Sequence, residues 1–223
     1  MKLHYIAIGD IHGCLKSIEA LWASITEYKD AKFIFVGDYI DRGPDSKGVI
    51  DFLIKAESER DCTFLRGNHE QMLLDAIDHG TIEHWLINGG DSTLLSYGDD
   101  LKTSNIPETH LNFFRKTKLY LNTEDYFFSH AGAPPNMSIK KSIESPKMHD
   151  YFLWGREHLN ALETSWEKTV VFGHTPRAFP IRKPRMLGID TGCVYNQVGY
   201  GKLTAVLLPE EKFIEQKSLD SFI

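Results

Sequence analysis

Gly37-Asp38-Tyr39-Ile40-Asp41-Arg42-Gly43 follows the apolar run Phe33-Ile34-Phe35-Val36. Four consecutive β-prone residues predict a buried strand, so two carboxylates and a guanidinium leave its C-terminal end together. That end is where the sheets of α/β proteins carry chemistry. Asp and Gly also suit an ordinary turn, so the stretch decides the fold only if other strands deliver matching groups to the same place.

They do. Upstream, residues 3–8 predict a strand, followed by Gly9-Asp10-Ile11-His12-Gly13 and then by Leu15, Ile18, Trp22 and Ile25 at helical spacing. Alone, an Asp-x-His would be read as a helix cap with a mutual hydrogen bond. The opening stretch is itself followed by a predicted helix over 46–58, with Val49, Leu53 and Ala56 inward. A third unit has a strand over 61–65, then Arg66-Gly67-Asn68-His69-Glu70, then Met72, Leu73, Ala76 and Ile77 on one helical face. His69-Glu70 does not start a zinc-protease HExxH helix, because position 73 is leucine.

Residues 81–117 predict short helices broken by Gly89-Gly90, Gly98 and Pro107, a scaffold or a cap over the site. His79, His84 and His110, in or beside this segment, read as surface or core histidines. A hairpin is predicted from 118–122 and 126–128, ending in Ser129-His130-Ala131-Gly132. Residues 133–165 form a long segment whose Tyr151, Phe152 and Trp154 predict an ordered, site-forming loop. A strand over 168–172 ends in Gly173-His174-Thr175-Pro176. Runs at 178–181, 186–189, 203–208 and 212–216 have no helices between them and predict antiparallel sheet. The fold class is therefore α/β in the first part, with α+β character in the last third.

At 223 residues, 42% hydrophobic and 25% charged, the chain is expected to be one domain over 1–223. A formal charge of −6 gives no reason to expect a nucleic acid partner. No apolar run reaches the roughly 20 residues of a membrane span. The three scattered cysteines, Cys14, Cys62 and Cys193, form no disulfide framework or CxxC pair, and Met1-Lys2-Leu3-His4-Tyr5 lacks a signal-peptide core, so a cytoplasmic protein is expected. Arg177, Arg182, Lys183 and Arg185 form a basic run, read as a solvated face that could attract an acidic or phosphorylated partner.

Six candidate ligands thus stand at five strand exits, expected to lie in one sheet: Asp10 and His12, Asp38, Asn68, His130, and His174. Carboxylate, amide and imidazole donors without thiolate suit Mn²⁺, Fe or Zn²⁺ with water rather than a closed cysteine site. Two metals about 3.5–4 Å apart need a shared ligand, and Asp38 is the candidate bridge.

These motifs, with Ile189-Asp190-Thr191-Gly192, closely resemble in order the phosphoprotein phosphatase family of dinuclear metallophosphatases, and most of all its compact bacterial and phage serine/threonine phosphatases. The resemblance implies a calcineurin-like fold, a central β-sandwich flanked by helices with two divalent metals above the strand ends. It makes Asp10 and His12 ligands of the first metal, Asp38 the bridge, and Asn68, His130 and His174 ligands of the second. It assigns His69 as general acid held by Asp41, with Arg42, Arg66 and Arg156 on the phosphate oxygens, and gives His149 and His158 no role. A neighbouring carboxylate would favour the imidazolium form of His69. The implied reaction is attack on a phosphomonoester by hydroxide bridging two metals, the substrate being a phosphorylated protein or small molecule. A nucleotide anhydride such as a diadenosine polyphosphate is the alternative, because His130-Ala131-Gly132 and Ile189-Asp190-Thr191-Gly192-Cys193 are also similar to those hydrolases. A catalytically silent module docking phosphorylated partners is a third reading. No oligomeric state is assigned.

Overall fold

In the computed structural model, which describes residues 4–98 and 100–220, the apolar runs form short strands buried on both faces. In chain order these are β1 (Tyr5–Ile8), β2 (Lys32–Phe35), β3 (Cys62–Phe64), β4 (Tyr120–Asn122), β5 (Tyr126–Ser129), β6 (Thr169–Phe172), β7 (Ile181–Lys183), β8 (Met186–Gly188), β9 (Lys202–Leu208) and β10 (Lys212–Lys217). The α-helices are α1 (Leu15–Ile25), α2 (Ser46–Glu59), α3 (Asn68–His79), α4 (Ile82–Trp85), α5 (Asp91–Tyr97), α6 (Glu108–Lys116), α7 (Ile139–Glu144) and α8 (His149–Trp154).

Parallel neighbours need a crossover, and α1 and α2 supply it between β1, β2 and β3. The strands make two five-stranded sheets, in the orders β10-β9-β1-β2-β3 and β4-β5-β6-β8-β7. Successive strand side chains point to opposite faces, which explains why the runs are apolar throughout rather than alternating. Ala7, Ile34, Val36, Phe128, Val171, Leu187 and Val206 meet in a core shared by both sheets. Their neighbours Ile6, Ile8, Phe33 and Phe35 pack instead with Ile18, Leu21 and Trp22 of α1 and Val49 and Leu53 of α2. On the second sheet, Phe127, Val170 and Phe172 cluster with Ile139, Phe152 and Trp166. Each such fully buried side chain contributes about 1.5–3 kcal/mol, so the sandwich and its flanking helices are held from three layers of apolar contact.

Three expectations are corrected. The last third is not one antiparallel sheet: β8 runs parallel to β6, while β9 and β10 join β1 in the other sheet. Leu187 and Val206 lie in the same inter-sheet core, one from each sheet, so the two apolar runs oppose each other across it instead of pairing edge to edge. The five ligand-bearing strands accordingly belong to two sheets. The strand expected over 178–181 starts only at Ile181, directly after Pro180, which has no N–H to give a ladder. Among the described residues no helix is long and apolar enough to cross a membrane.

Candidate metal centre

The loops leaving β1, β2, β3, β5 and β6 meet at one end of the sandwich and are stitched together by their backbones. Asp38 O accepts from Ile11 N at 3.0 Å and His12 N at 2.9 Å, Gly13 N donates to Tyr39 O at 2.8 Å, and Gly173 N donates to His130 O at 2.8 Å. Glu70 braces the same turn from α3, accepting from Asp38 N at 2.9 Å, Tyr39 N at 2.8 Å and Gly67 N at 2.8 Å. The crowding demands glycine at two points, since a Cβ on Gly67 would collide with Asp38 Oδ1 and one on Gly173 with Asp10 Oδ1. Backbone strain concentrates here too. Of eight non-glycine residues with positive φ among the described residues, five are His12, Asp38, Asp41, Arg42 and His174.

Asp38 Oδ2 is the hub, 3.5 Å from His12 Nε2, 3.3 Å from His130 Nε2 and 4.0 Å from His69 Nε2. Around His130 Nε2, Asn68 Oδ1 lies at 2.9 Å and His174 Nδ1 at 3.1 Å, and those two are 2.9 Å apart. A carbonyl can only accept, so His12 Nδ1–H donates to Ile40 O at 2.8 Å and His130 Nδ1–H to Val36 O at 3.0 Å. Both imidazoles therefore turn an Nε2 lone pair toward Asp38. Asp10 Oδ2 accepts from His174 N at 2.9 Å, but Asp10 Oδ1 and His174 Nε2 are buried without any partner.

Converging lone pairs and an orphaned buried carboxylate oxygen are what a cation would satisfy, so the residues fit a metal site. Two triads meet the spacing of metal ligands, His12, Asp38 and His69, and Asp38, His130 and His174, with Asp38 common to both. The shifts fit this at His12, His174 and Asp10, whereas at His130 burial is overcome by the charge of Asp38, which raises the imidazole. Burial holds His12 and His174 well below the ordinary imidazole range. Burial opposes ionisation of Asp38, but His130 and His69 outweigh it and hold the carboxyl well below its usual range. Asp10 is pushed up by burial and by the charges of Asp190 and Asp38, repulsion that a cation would relieve.

His69 Nδ1 lies 2.6 Å from Asp41 Oδ2. Asp41 also accepts from Trp85 Nε1–H at 2.8 Å and the Thr93 hydroxyl at 2.6 Å. Burial lowers His69 to about 4 and raises Asp41 to about 8, against the hydrogen bonds of Thr93 and Trp85 that lower the latter. The expectation of a favoured imidazolium is thus corrected, because burial of His69 outweighs the attraction of Asp38 and Asp41 is itself raised toward its neutral form. Exposed Arg42 reaches the cluster, Nη1 to His12 Nε2 at 2.9 Å. Arg156 is exposed, and its charge is felt at His174. Arg66 is not brought to the cluster. Its Nε donates to Thr117 Oγ1 at 3.0 Å, Nη1 to Gln71 at 3.0 Å, and Nη2 to the carbonyls of Phe114, Arg115 and Thr117, capping the end of α6. The terminal carbonyls of α6 lack helical partners, and a guanidinium fork supplies them.

Sequence reading missed the supporting side chains. Glu70 had a signal, an acid three residues after Gly67 at a helix start. Trp85 and Thr93 had none, because they reach Asp41 from a segment whose spacing reads only as cap helices.

Comparison with known proteins agrees with this architecture. Residues 3–188 match the Metallophos family, the calcineurin-like phosphoesterases. A bis(5′-nucleosyl)-tetraphosphatase PrpE of Oceanobacillus iheyensis is 28% identical, over 97% of this chain and 93% of its own. Serine/threonine-protein phosphatase 1 of Salmonella typhimurium is 30% identical, over 90% of each chain. A crystal structure provisionally described as a diadenosine tetraphosphatase superimposes with a TM-score of 0.70 at 23% identity, over 99% of this chain and 96% of that one. With a family match across most of its length and the sandwich-edge cluster of histidines and carboxylates in place, the chain belongs to the calcineurin-like phosphoesterase family and is a metallophosphoesterase.

Proposed function

We propose that this metallophosphoesterase is a phosphomonoesterase acting on phosphoserine and phosphothreonine, with residues 1–223 working as one catalytic unit in the cytoplasm. The observation that carries this is the buried His69–Asp41 pair at 2.6 Å, beside Asp38 Oδ2. An alkoxide is a poor leaving group and needs a proton as the P–O bond breaks, whereas a phosphate anhydride needs it far less.

Asp10, His12 and Asp38 would hold one divalent cation, and Asp38, Asn68, His130 and His174 a second, Mn²⁺ being the first choice for this oxygen and nitrogen set and Fe or Zn²⁺ the alternatives. When bound, two such cations supply charge neutralisation at the phosphoryl oxygens and a water acidic enough to act as nucleophile near neutral pH. The chain's own residues supply the rest. Asp41 fixes His69 with Nδ1–H toward itself, so that Nε2 faces the centre. Burial resists a charged imidazole, and a phosphate anion beside it opposes that resistance, so His69 takes up the Nε2 proton as substrate arrives. As the new O–P bond forms and the ester bond breaks, that proton passes to the departing seryl or threonyl oxygen. Arg42 and Arg156, exposed at the mouth, donate to the non-bridging oxygens.

A second reading, hydrolysis of a bis(5′-nucleosyl) tetraphosphate, is favoured by the similarity to the Oceanobacillus iheyensis protein over 97% of this chain. The two are separated by giving metal-stripped protein Mn²⁺ and measuring kcat/KM on a phosphothreonine peptide and on diadenosine tetraphosphate in parallel. Peptide turnover at least tenfold more efficient is expected. The reverse ranking would replace the first reading by the second. No turnover of either, or of an aryl phosphate, by the metal-loaded protein would make the pocket a docking module.

A further inference from the structure

The basic run of residues 177–185 does not survive folding as a cluster. Arg182 Nε pairs with Glu211 at 3.0 Å, Lys183 Nζ donates to Leu159 O at 3.2 Å, and Arg185 is tied to Trp166 O. Arg177 differs from the other three in being exposed with no side-chain partner among the described residues.

Arg177 lies on a short path. His174-Thr175-Pro176-Arg177-Ala178-Phe179 leads from a candidate metal ligand to a cavity of about 670 Å³ whose walls include Phe179, Tyr195, Tyr200, Lys202 and Lys217. Five residue steps span at most about 18 Å of chain. The Asp190-Thr191-Gly192 turn backs onto the cavity. Gly192 N is held by Asp190 Oδ1 at 2.9 Å, and Gly192 has the rings of Tyr195 and Tyr200 directly on its other side. Tyr195 is half-buried and lines the cavity.

The cavity's chemistry is specific. Phe179 is 75% exposed, with Lys202 Nζ 5.0 Å above its ring. Lys202 is itself held by Glu215 at 2.6 Å and by Ala178 O at 2.9 Å, so it supports the ring instead of offering a free charge. Tyr195 and Tyr200 stand edge to face, 6.1 Å between centroids. The carboxylates of this region are occupied: Glu215 by Lys202, and Asp220 by Lys16 N, Ser17 N and the Ser17 hydroxyl at the start of α1. Arg177 and Lys217 are exposed without a side-chain partner among the described residues, Lys217 on the cavity wall beside Asp220 and Arg177 next in sequence to the wall residue Ala178. An open aromatic face, a volume in the range of small-ligand sites, Lys217 on the wall and Arg177 three residues from His174 suit a planar base joined to phosphates.

We propose that this cavity is a nucleoside subsite. The base of a nucleoside 5′-polyphosphate stacks on Phe179, and Arg177 meets the phosphates lying between that base and the metal centre. The proposal rests on the second reading above, in which a bis(5′-nucleosyl) polyphosphate is a substrate. A phosphorylated peptide offers neither a base nor a phosphate chain to reach Phe179.

The test compares the Mn²⁺-loaded wild-type chain with Phe179→Ala, Phe179→Tyr and Arg177→Ala on diadenosine tetraphosphate and on p-nitrophenyl phosphate, which has no nucleoside. Phe179→Ala is expected to raise KM for the dinucleotide about tenfold, with a several-fold smaller change on the aryl phosphate and recovery in Phe179→Tyr. Arg177→Ala is expected to raise the same KM in the same selective way. Equal effects on both substrates, or an unaltered dinucleotide KM in Phe179→Ala, would overturn the subsite. Calorimetric titration of the same proteins with adenosine keeps the two ideas apart. If wild-type protein does not hydrolyse the dinucleotide but binds adenosine, and Phe179→Ala weakens that binding, the substrate reading fails and the nucleoside site stands. If adenosine binding is absent, or equal in both proteins, the site fails.

Discussion

Asp41 carries no unused acceptor direction: His69, Trp85 and Thr93 converge on its two oxygens. Asp41→Asn keeps the shape but puts an amide NH₂ group where the carboxyl accepted from one of those donors. It is expected to lower kcat on a phosphoserine peptide by about 10²–10⁴-fold while leaving the metal content of the purified protein unchanged. Metal analysis and steady-state kinetics on one preparation check both halves, and an unaltered kcat would remove Asp41 from the role. A different histidine governs stability. His158 is buried, its Nε2 has no partner, and it lies against Phe172 with ring centroids 4.6 Å apart, so burial lowers it to about 4. The unfolded chain, with an ordinary value near 6.5, binds the proton first as pH falls. The stabilisation is therefore complete above pH ~6.5 and lost progressively toward pH ~4, by up to about 3 kcal/mol. His158→Gln should flatten the slope of unfolding free energy between those limits in urea titrations; an unchanged slope would contradict the buried neutral ring.

At the scale of elements, the turn after β2 and the first turn of α3 behave as one unit because Glu70 ties three backbone N–H groups together. Glu70→Ala leaves three buried donors unpaired, at a cost of about 3–5 kcal/mol measurable by urea unfolding, and should weaken metal binding with it. A loss below about 1 kcal/mol would mean the turn holds its shape unaided. Elements also show what the chain's letters could disclose. The runs at 33–36 and 168–172 lead directly into glycine and that at 61–65 reaches one after Arg66, and the polar groups at their exits stand out because strand ends and turn residues are local features. Asp10, His12, Asp38, Asn68, His130 and His174 were legible for that reason. The division of the strands between two sheets was not, since Leu187 and Val206 carry the same apolar signal whichever sheet they join. Trp85 and Thr93 were hidden for a related reason, as they act on Asp41 from 44 and 52 residues away. The placement of Arg66 was not legible, because its motif is local while its side-chain partners, at the end of α6, are not.

For the whole molecule, the decisive feature is that the donor cluster straddles the sandwich: Asp10, His12, Asp38 and Asn68 follow strands of one sheet, His130 and His174 strands of the other. A cation bound there would fasten the sheets to each other. Mn²⁺ at about 100 times its dissociation constant should stabilise the fold by about 2.7 kcal/mol, raising Tm by about 5–10 °C over chelator-treated protein. Calorimetry with and without chelator checks this, and coincident transitions would show that the sheets dock without help. The same geometry bears on how the chain acquires activity. Asn68 meets His130 across 62 residues and His174 across 106, and His174 meets Asp10 across 164, contacts that close only after long loops have been ordered. No half-formed chain can own a working centre, so in a refolding mixture the first turnover events would time the docking of the two sheets.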